Sequence, residues 1–191
     1  MAAGTANDDH RHPRAFPVGG LLHEDPDEDN RRLFRQLRGH KRLLPVPVIN
    51  PRLADWRASV ARWAQKGAAV KILPSYHAYS LAGANVDGLA AELARRLPHL
   101  SIVALGVYSS EVVDLLRQAP RVWVDVSFLD GLDAVGVLVR KHRAFAKRLL
   151  LGSHAPLFYT QAAVLKVQTA EATRVVRQGI LGRNARTMLG L

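Results

Sequence analysis

The sequence has no cysteine among its 191 residues. That absence excludes a disulfide framework, thiolate-ligated zinc or iron–sulfur centres and a thiol nucleophile, so the core must hold by packing alone. It also fits a reducing, cytoplasmic compartment. No apolar run approaches the roughly 18 residues that a membrane span needs. The opening MAAGTANDDHRHPRAF puts acids and histidines where a signal peptide carries its apolar stretch. A Walker loop, a dinucleotide fingerprint and the HExxH zinc motif are all missing. So are Cys/His finger spacing and a compact basic-aromatic stripe, the features that mark many nucleic-acid readers. Acids are scarce beyond the head of the chain: residues 1–30 carry seven acids against two bases, and residues 31–191 carry nine acids against 25 bases. The basic body can steer anions. Its Lys and Arg nevertheless fall in helix-like segments with apolar spacing, the pattern of solvated helix faces, and neither nucleic acid nor membrane is an expected partner.

What the chain does have is a regular alternation of short apolar runs with amphipathic stretches. Residues 1–17 are small, polar and proline-bearing and read as a loosely attached arm; residues 18–191 read as one domain. Leu33, Phe34 and Leu37 recur at helical spacing behind the acids Asp25–Asp29. A β-like run follows at Leu43–Pro51, then a helix marked by Trp56, Val60, Trp63 and Ala64 and closed at Gly67. AAVKILP, SIVALG, VWVDVSF and RLLLGS are strands. Between them lie helices at Asp87–Arg96, in SSEVVDLLRQA with a serine cap, and in LDAVGVLVRKHRAFAKR. One long amphipathic helix is expected across TQAAVLKVQTAEATRVVRQG. Strands separated by helices of this size predict an α/β fold with mostly parallel strands, in an open sheet or a barrel. Five strands and 191 residues fall short of the roughly 250 residues of a closed eight-fold barrel. The expected fold is therefore an incomplete or divergent (β/α) TIM-like barrel.

In such folds the chemistry lies just past the C-terminal ends of the strands. That rule selects Asn50, Lys71, the loop Ser75-Tyr76-His77, Ser110 with Glu111, Asp125 with Ser127, and Ser153-His154. His77 and His154 each follow an apolar strand directly, where an imidazole can bind a metal, move a proton or serve as a hydrogen-bonded structural residue. Asp125 shares one strand face with Trp123 and Ser127, and burying its carboxylate is costly unless it meets a cation or several donors. Lys71, in mid-strand, needs a carboxylate partner or a path to the mouth and can anchor a substrate carboxylate or phosphate. His10 and His12 have metal-like spacing but sit in the polar arm. Gly19-Gly20 reads as a flexible turn.

RLLLGSHAPLFYTQAAVLKVQTA, VWVDVSFLDG, VKILPSYHAYSL and ILGRNARTMLG together make residues 28–191 resemble the later barrel strands and final helices of amidohydrolase-related proteins, the TIM-barrel metal-dependent hydrolases. The resemblance implies a divalent metal, zinc above all, held by a His-x-His pair on the first strand and histidines on the fifth and sixth. It also implies an aspartate at the end of the eighth strand that takes a proton from the attacking water. The substrate would be a small carbonyl or carboxylate compound. The chain departs from that pattern. Its HRH does not end an apolar strand, there is no room between LAAELARR and LPHLSIVALG for the fifth strand and its histidine, and SIVALGVYS carries no histidine. The usual Gly-Ser-Asp has become Gly-Ser-His, with His154 where the catalytic aspartate would stand.

Two readings follow. In the first the chain is an enzyme that hydrolyses or decarboxylates a small molecule, with His154 and Asp125 catalytic, Lys71 and Tyr76 binding substrate, and His77 and His154 holding a metal, if one is used. In the second it is a non-catalytic or assembly-dependent barrel fragment that has lost the metal site, and open sheet edges favour a homo-oligomer.

Overall fold

The computed structural model describes residues 14–41, 43–81 and 83–191. Among these described residues six short strands run parallel: β1 (Arg14–Ala15), β2 (Leu44–Pro45), β3 (Val70–Ile72), β4 (Ile102–Ala104), β5 (Val122–Asp125) and β6 (Leu149–Leu150). β1 pairs with β2, and β3 to β6 pair in chain order. A bridge between Val48 and Lys71 links the two groups. Right-handed crossovers between strands in sequential order put every connecting helix on the same side of the sheet. The other face must then curl inward or be covered, which is the geometry of a barrel wall. The fold is thus an incomplete (β/α) barrel, as the alternation predicts.

The helices are α1 (Asp27–Gln36), α2 (Trp56–Trp63), α3 (Ala84–Arg96), α4 (Val112–Gln118), α5 (Ala134–Lys141), α6 (Thr160–Gln168), α7 (Arg174–Gln178) and α8 (Asn184–Leu189). Val70, Ile72, Ile102, Ala104, Val122, Val124 and Leu149 point to the helices and form the main core with Val60, Leu89, Leu93, Leu115 and Leu138. No helix among the described residues is long and apolar enough to cross a membrane.

Three local expectations need correction. β1 lies inside the segment read as an arm; residues 1–13, including His10 and His12, lie outside the described residues. The expected long helix is broken into α6 and α7, because the Glu171 amide donates to Asp133 at 3.0 Å and Thr173 caps a new helix by accepting from the Val176 amide at 3.3 Å. No serine caps α4. Glu111 occupies that position, and its side chain instead accepts from the Tyr108 amide at 3.2 Å.

The inner face carries two apolar rows. The lower one, Val46, Ala69, Val103 and Leu150, is covered by Met188 of α8, with Ala185, Leu189, Trp123 and Phe16 packed around it. Toward the C-terminal ends of the strands, Val48, Leu73 and Leu105 pack with Leu21, Phe16, Val18, Tyr76 and Phe128. The outer edge of β6 is also closed. The Leu151 amide donates to the Ile180 carbonyl at 2.9 Å, and the Asn184 side-chain amide donates to the carbonyls of Ala146 and Leu149, each at 2.8 Å.

Candidate functional site

Register decides which side chains enter the interior. Lys71 is level with Val103 and Trp123 across β3, β4 and β5, and its strand neighbours Val70 and Ile72 face the helices. Its side chain therefore points inward. Asp125 ends β5 two residues beyond Trp123, on the same face. The two meet across β4: Lys71 Nζ lies 3.4 Å from Asp125 Oδ2, with the side chains only 9% and 7% exposed. The other carboxylate oxygen accepts the Ser127 amide at 2.9 Å, which turns the chain at the end of β5. Lys166, from α6, ties down the same turn through the carbonyls of Val126, Ser127 and Leu129. Gly152, after β6, has no side chain for a reason: a Cβ there would run into the Asp125 carboxylate. The Lys71 ammonium sits over the ring of Phe16, 4.0 Å from its centroid.

His154 follows β6 in the left-handed region, at φ 52°. Its Nε2 is 2.8 Å from the Tyr76 hydroxyl, and the rings of Phe16, Tyr76, Phe128 and Phe158 surround it. Burial holds the His154 pKa below the ordinary value; the Lys71 charge adds to that effect, while Asp125 opposes it. Burial, helped by Tyr108, pushes Tyr76 up, so near neutral pH a phenol faces a neutral imidazole. The phenol can donate to Nε2, which places the ring proton on Nδ1, or accept from it, which leaves Nδ1 bare. Either way, Nδ1 is buried without a hydrogen-bond partner. Lys71 and His154 thus both lie against the ring of Phe16, each with its own partner, Asp125 and Tyr76.

His77 has different surroundings. Its Nε2 donates to the Gly20 carbonyl at 2.8 Å, its ring neighbours Tyr79, and Arg52 Nη1 donates to its carbonyl at 2.8 Å. Burial lowers its pKa as well. The Gly19-Gly20 turn thus supplies an acceptor to a buried histidine. Asn50 is structural: it donates to the Glu24 carbonyl at 2.8 Å and accepts the Arg52 amide at 3.1 Å. Asn30, not selected from the sequence, is fully buried and bonds both the amide and the carbonyl of Val48, at 2.8 and 2.7 Å. It fastens α1 to the strand region beside the site; an asparagine in a polar helix gave no signal of that role.

These donors do not make a metal centre as placed. Among the described residues no three His, Cys, Asp or Glu side chains are grouped to hold an ion. Asp125 is already paired with an ammonium. A dication about 4 Å from that ammonium would meet a repulsion of about 8 kcal/mol at an effective dielectric of about 20.

No family model matches this chain, and no curated protein matches it either. Two solved structures of 2,6-dihydroxybenzoate decarboxylase do resemble it. The first, in complex with 2,6-dihydroxybenzoate, gives a TM-score of 0.52 at 12% identity and covers 97% of this chain and 82% of its own. The second, from Rhizobium, gives 0.50 at 12% identity over the same shares. At this identity the likeness is one of fold alone.

Proposed function

We propose that the chain is a small-molecule enzyme that decarboxylates, or otherwise cleaves, a small carbonyl or carboxylate compound at the inner end of its strands. The observation that carries the reading is the convergence of a Lys71–Asp125 pair and a Tyr76–His154 hydrogen bond around Phe16. An ammonium has three donors, so Lys71 can hold a substrate carboxylate or phenolate oxygen while Asp125 fixes its direction. Tyr76 and His154 form a proton relay. In a decarboxylation the bond from carbon to carboxylate breaks, its electron pair stays on carbon, that carbon takes a proton from the relay, and carbon dioxide leaves. The likeness in fold to a decarboxylase supports this choice of reaction.

The test is carbon dioxide release from a panel of small aromatic and aliphatic carboxylates, 2,6-dihydroxybenzoate included. Turnover that falls by about 10²-fold or more in His154→Gln is the expected result. Equal turnover in wild type and variant, or none with any member of the panel, counts against it. The second reading, a barrel without catalysis, is favoured by one observation: the interior charges neutralise each other and are nearly sealed from solvent. It would be supported by saturable binding of a carboxylate with no turnover.

A further inference from the structure

We infer that the Lys71 ammonium is the resident cation of this barrel, standing in for a divalent metal, and that the site therefore takes its anionic ligand by hydrogen bonding to an amine. The inference deepens the reading above and rests on it for the location of the chemistry.

Four observations carry it. Both oxygens of Asp125 are engaged, one by the Ser127 amide and the other by Lys71. The ammonium is held from a second side by the face of Phe16, so its position is fixed before any ligand arrives. The C-terminal end of β1 leads into Phe16, Pro17 and Val18, and that of β4 into Leu105 and Gly106; neither end offers a nitrogen or oxygen ligand from its side chains. The two histidines after strands stand apart in their bonding, His77 on the Gly20 carbonyl and His154 on the Tyr76 hydroxyl, and among the described residues no three His, Cys, Asp or Glu side chains are grouped to hold an ion.

The chemical consequence separates two reaction types. Metal-dependent hydrolysis draws its nucleophile from a metal-bound water whose pKa the ion lowers. An ammonium lowers no water to that degree. It does stabilise a carboxylate or a developing phenolate, which is what cleavage of a carbon–carboxylate bond needs. A lysine-centred interior thus points to a small organic acid as ligand and to bond cleavage driven by proton transfer.

The experiment adds zinc to metal-stripped wild-type protein and follows the ring signals of His154 and His77 by NMR, each assigned with its His→Gln variant. Zinc retained after desalting is measured in wild type, His154→Gln and Asp125→Asn. Expected are ring signals of His154 that stay in place through several equivalents, and a zinc content that changes by less than twofold between the three proteins. Zinc held elsewhere, for example by His10 and His12, leaves both readouts in that state. A saturable shift of the His154 signals at one equivalent, or one zinc per chain that is lost in His154→Gln, overturns the inference. Turnover of 2,6-dihydroxybenzoate is read in parallel. Turnover that appears only with zinc overturns the lysine-cation inference and leaves the decarboxylase reading standing. Absence of turnover in every condition, with His154 unmoved, removes the decarboxylase reading and supports the lysine as the interior cation.

Discussion

Replacing Lys71 by methionine removes one half of a buried ion pair and nothing of comparable volume. The pair is 3.4 Å apart, with each side chain less than a tenth exposed. Loss of the ammonium leaves the Asp125 carboxylate in the interior with the Ser127 amide as a remaining donor. Stranding a buried charge in this way costs about 3–5 kcal/mol, a large share of the roughly 5–15 kcal/mol that holds a domain folded. With a urea slope of about 2 kcal/mol per molar, the midpoint should fall by about 1.5–2.5 M. Asp125→Asn strands the lysine and should cost a similar amount. The double variant Lys71→Met/Asp125→Asn keeps an acceptor for the Ser127 amide but carries neither charge, and should return to within about 2 kcal/mol of wild type. Urea unfolding of all four proteins, read by circular dichroism, closes the cycle. Single losses below about 1 kcal/mol that add to within about 0.5 kcal/mol in the double variant would refute the reasoning, since uncoupled residues behave so.

Gly152→Ala places a Cβ against the same carboxylate, so thermal melting should show a loss of about 1–3 kcal/mol; an unchanged melting temperature would mean that Asp125 turns aside freely. Burial holds both His77 and His154 below their ordinary pKa of 6.5. As the pH falls, the unfolded chain binds these protons first. Stability from these two groups is complete above about pH 6.5 and is lost as the pH drops below it toward the folded values. The urea midpoint should therefore be lower at about pH 5.5 than at about pH 7.5, and the double variant His77→Gln/His154→Gln should flatten that difference. Asn184→Ala removes two donations at 2.8 Å to the edge of β6 and should cost about 1–3 kcal/mol for each carbonyl left unpaired. Light scattering should then show mass rising with concentration; a mass no more concentration-dependent than that of wild type would show that this edge is not prone to pairing.

The sequence makes the barrel wall readable because β3 to β6 are short, nearly continuous apolar runs between helices with clear spacing. β1 escapes because two residues, Arg14 and Ala15, carry no pattern; their pairing with Leu44 and Pro45 exists only in three dimensions. The break between α6 and α7 escapes for a similar reason, as apolar periodicity runs through residues whose hydrogen bonds are set by Asp133 on a distant loop. The site divides along the same line. Lys71 and Asp125 are legible as a pair because each is a charge at an inward strand position, where only a partner makes burial tolerable. The Tyr76–His154 bond joins two loops whose approach no spacing encodes. His77 carries the same signature as His154, a histidine directly after a strand. Its neighbour, the Gly20 carbonyl, comes from a turn with no chemical signal of its own.

The C-terminal helix bears on where the interior polar groups can meet. Among the described residues, α8 packs on the lower row of the inner face of the six strands. Met188 seats on Val46, Ala69, Val103 and Leu150, with Trp123 and Leu189 beside it. That plug is apolar and occupies the lower row, so the polar groups of the interior, Lys71 and Asp125, can meet only toward the upper end, beneath Phe16 and beside His154. The same helix begins with Asn184, which seals the edge of β6 and holds the start of the strand that leads to Gly152 and His154. One helix thus covers the lower row and braces the edge of β6. The helix that covers the lower row leaves Lys71 and Asp125 as one buried pair against Phe16, with His154 stacked on the same ring.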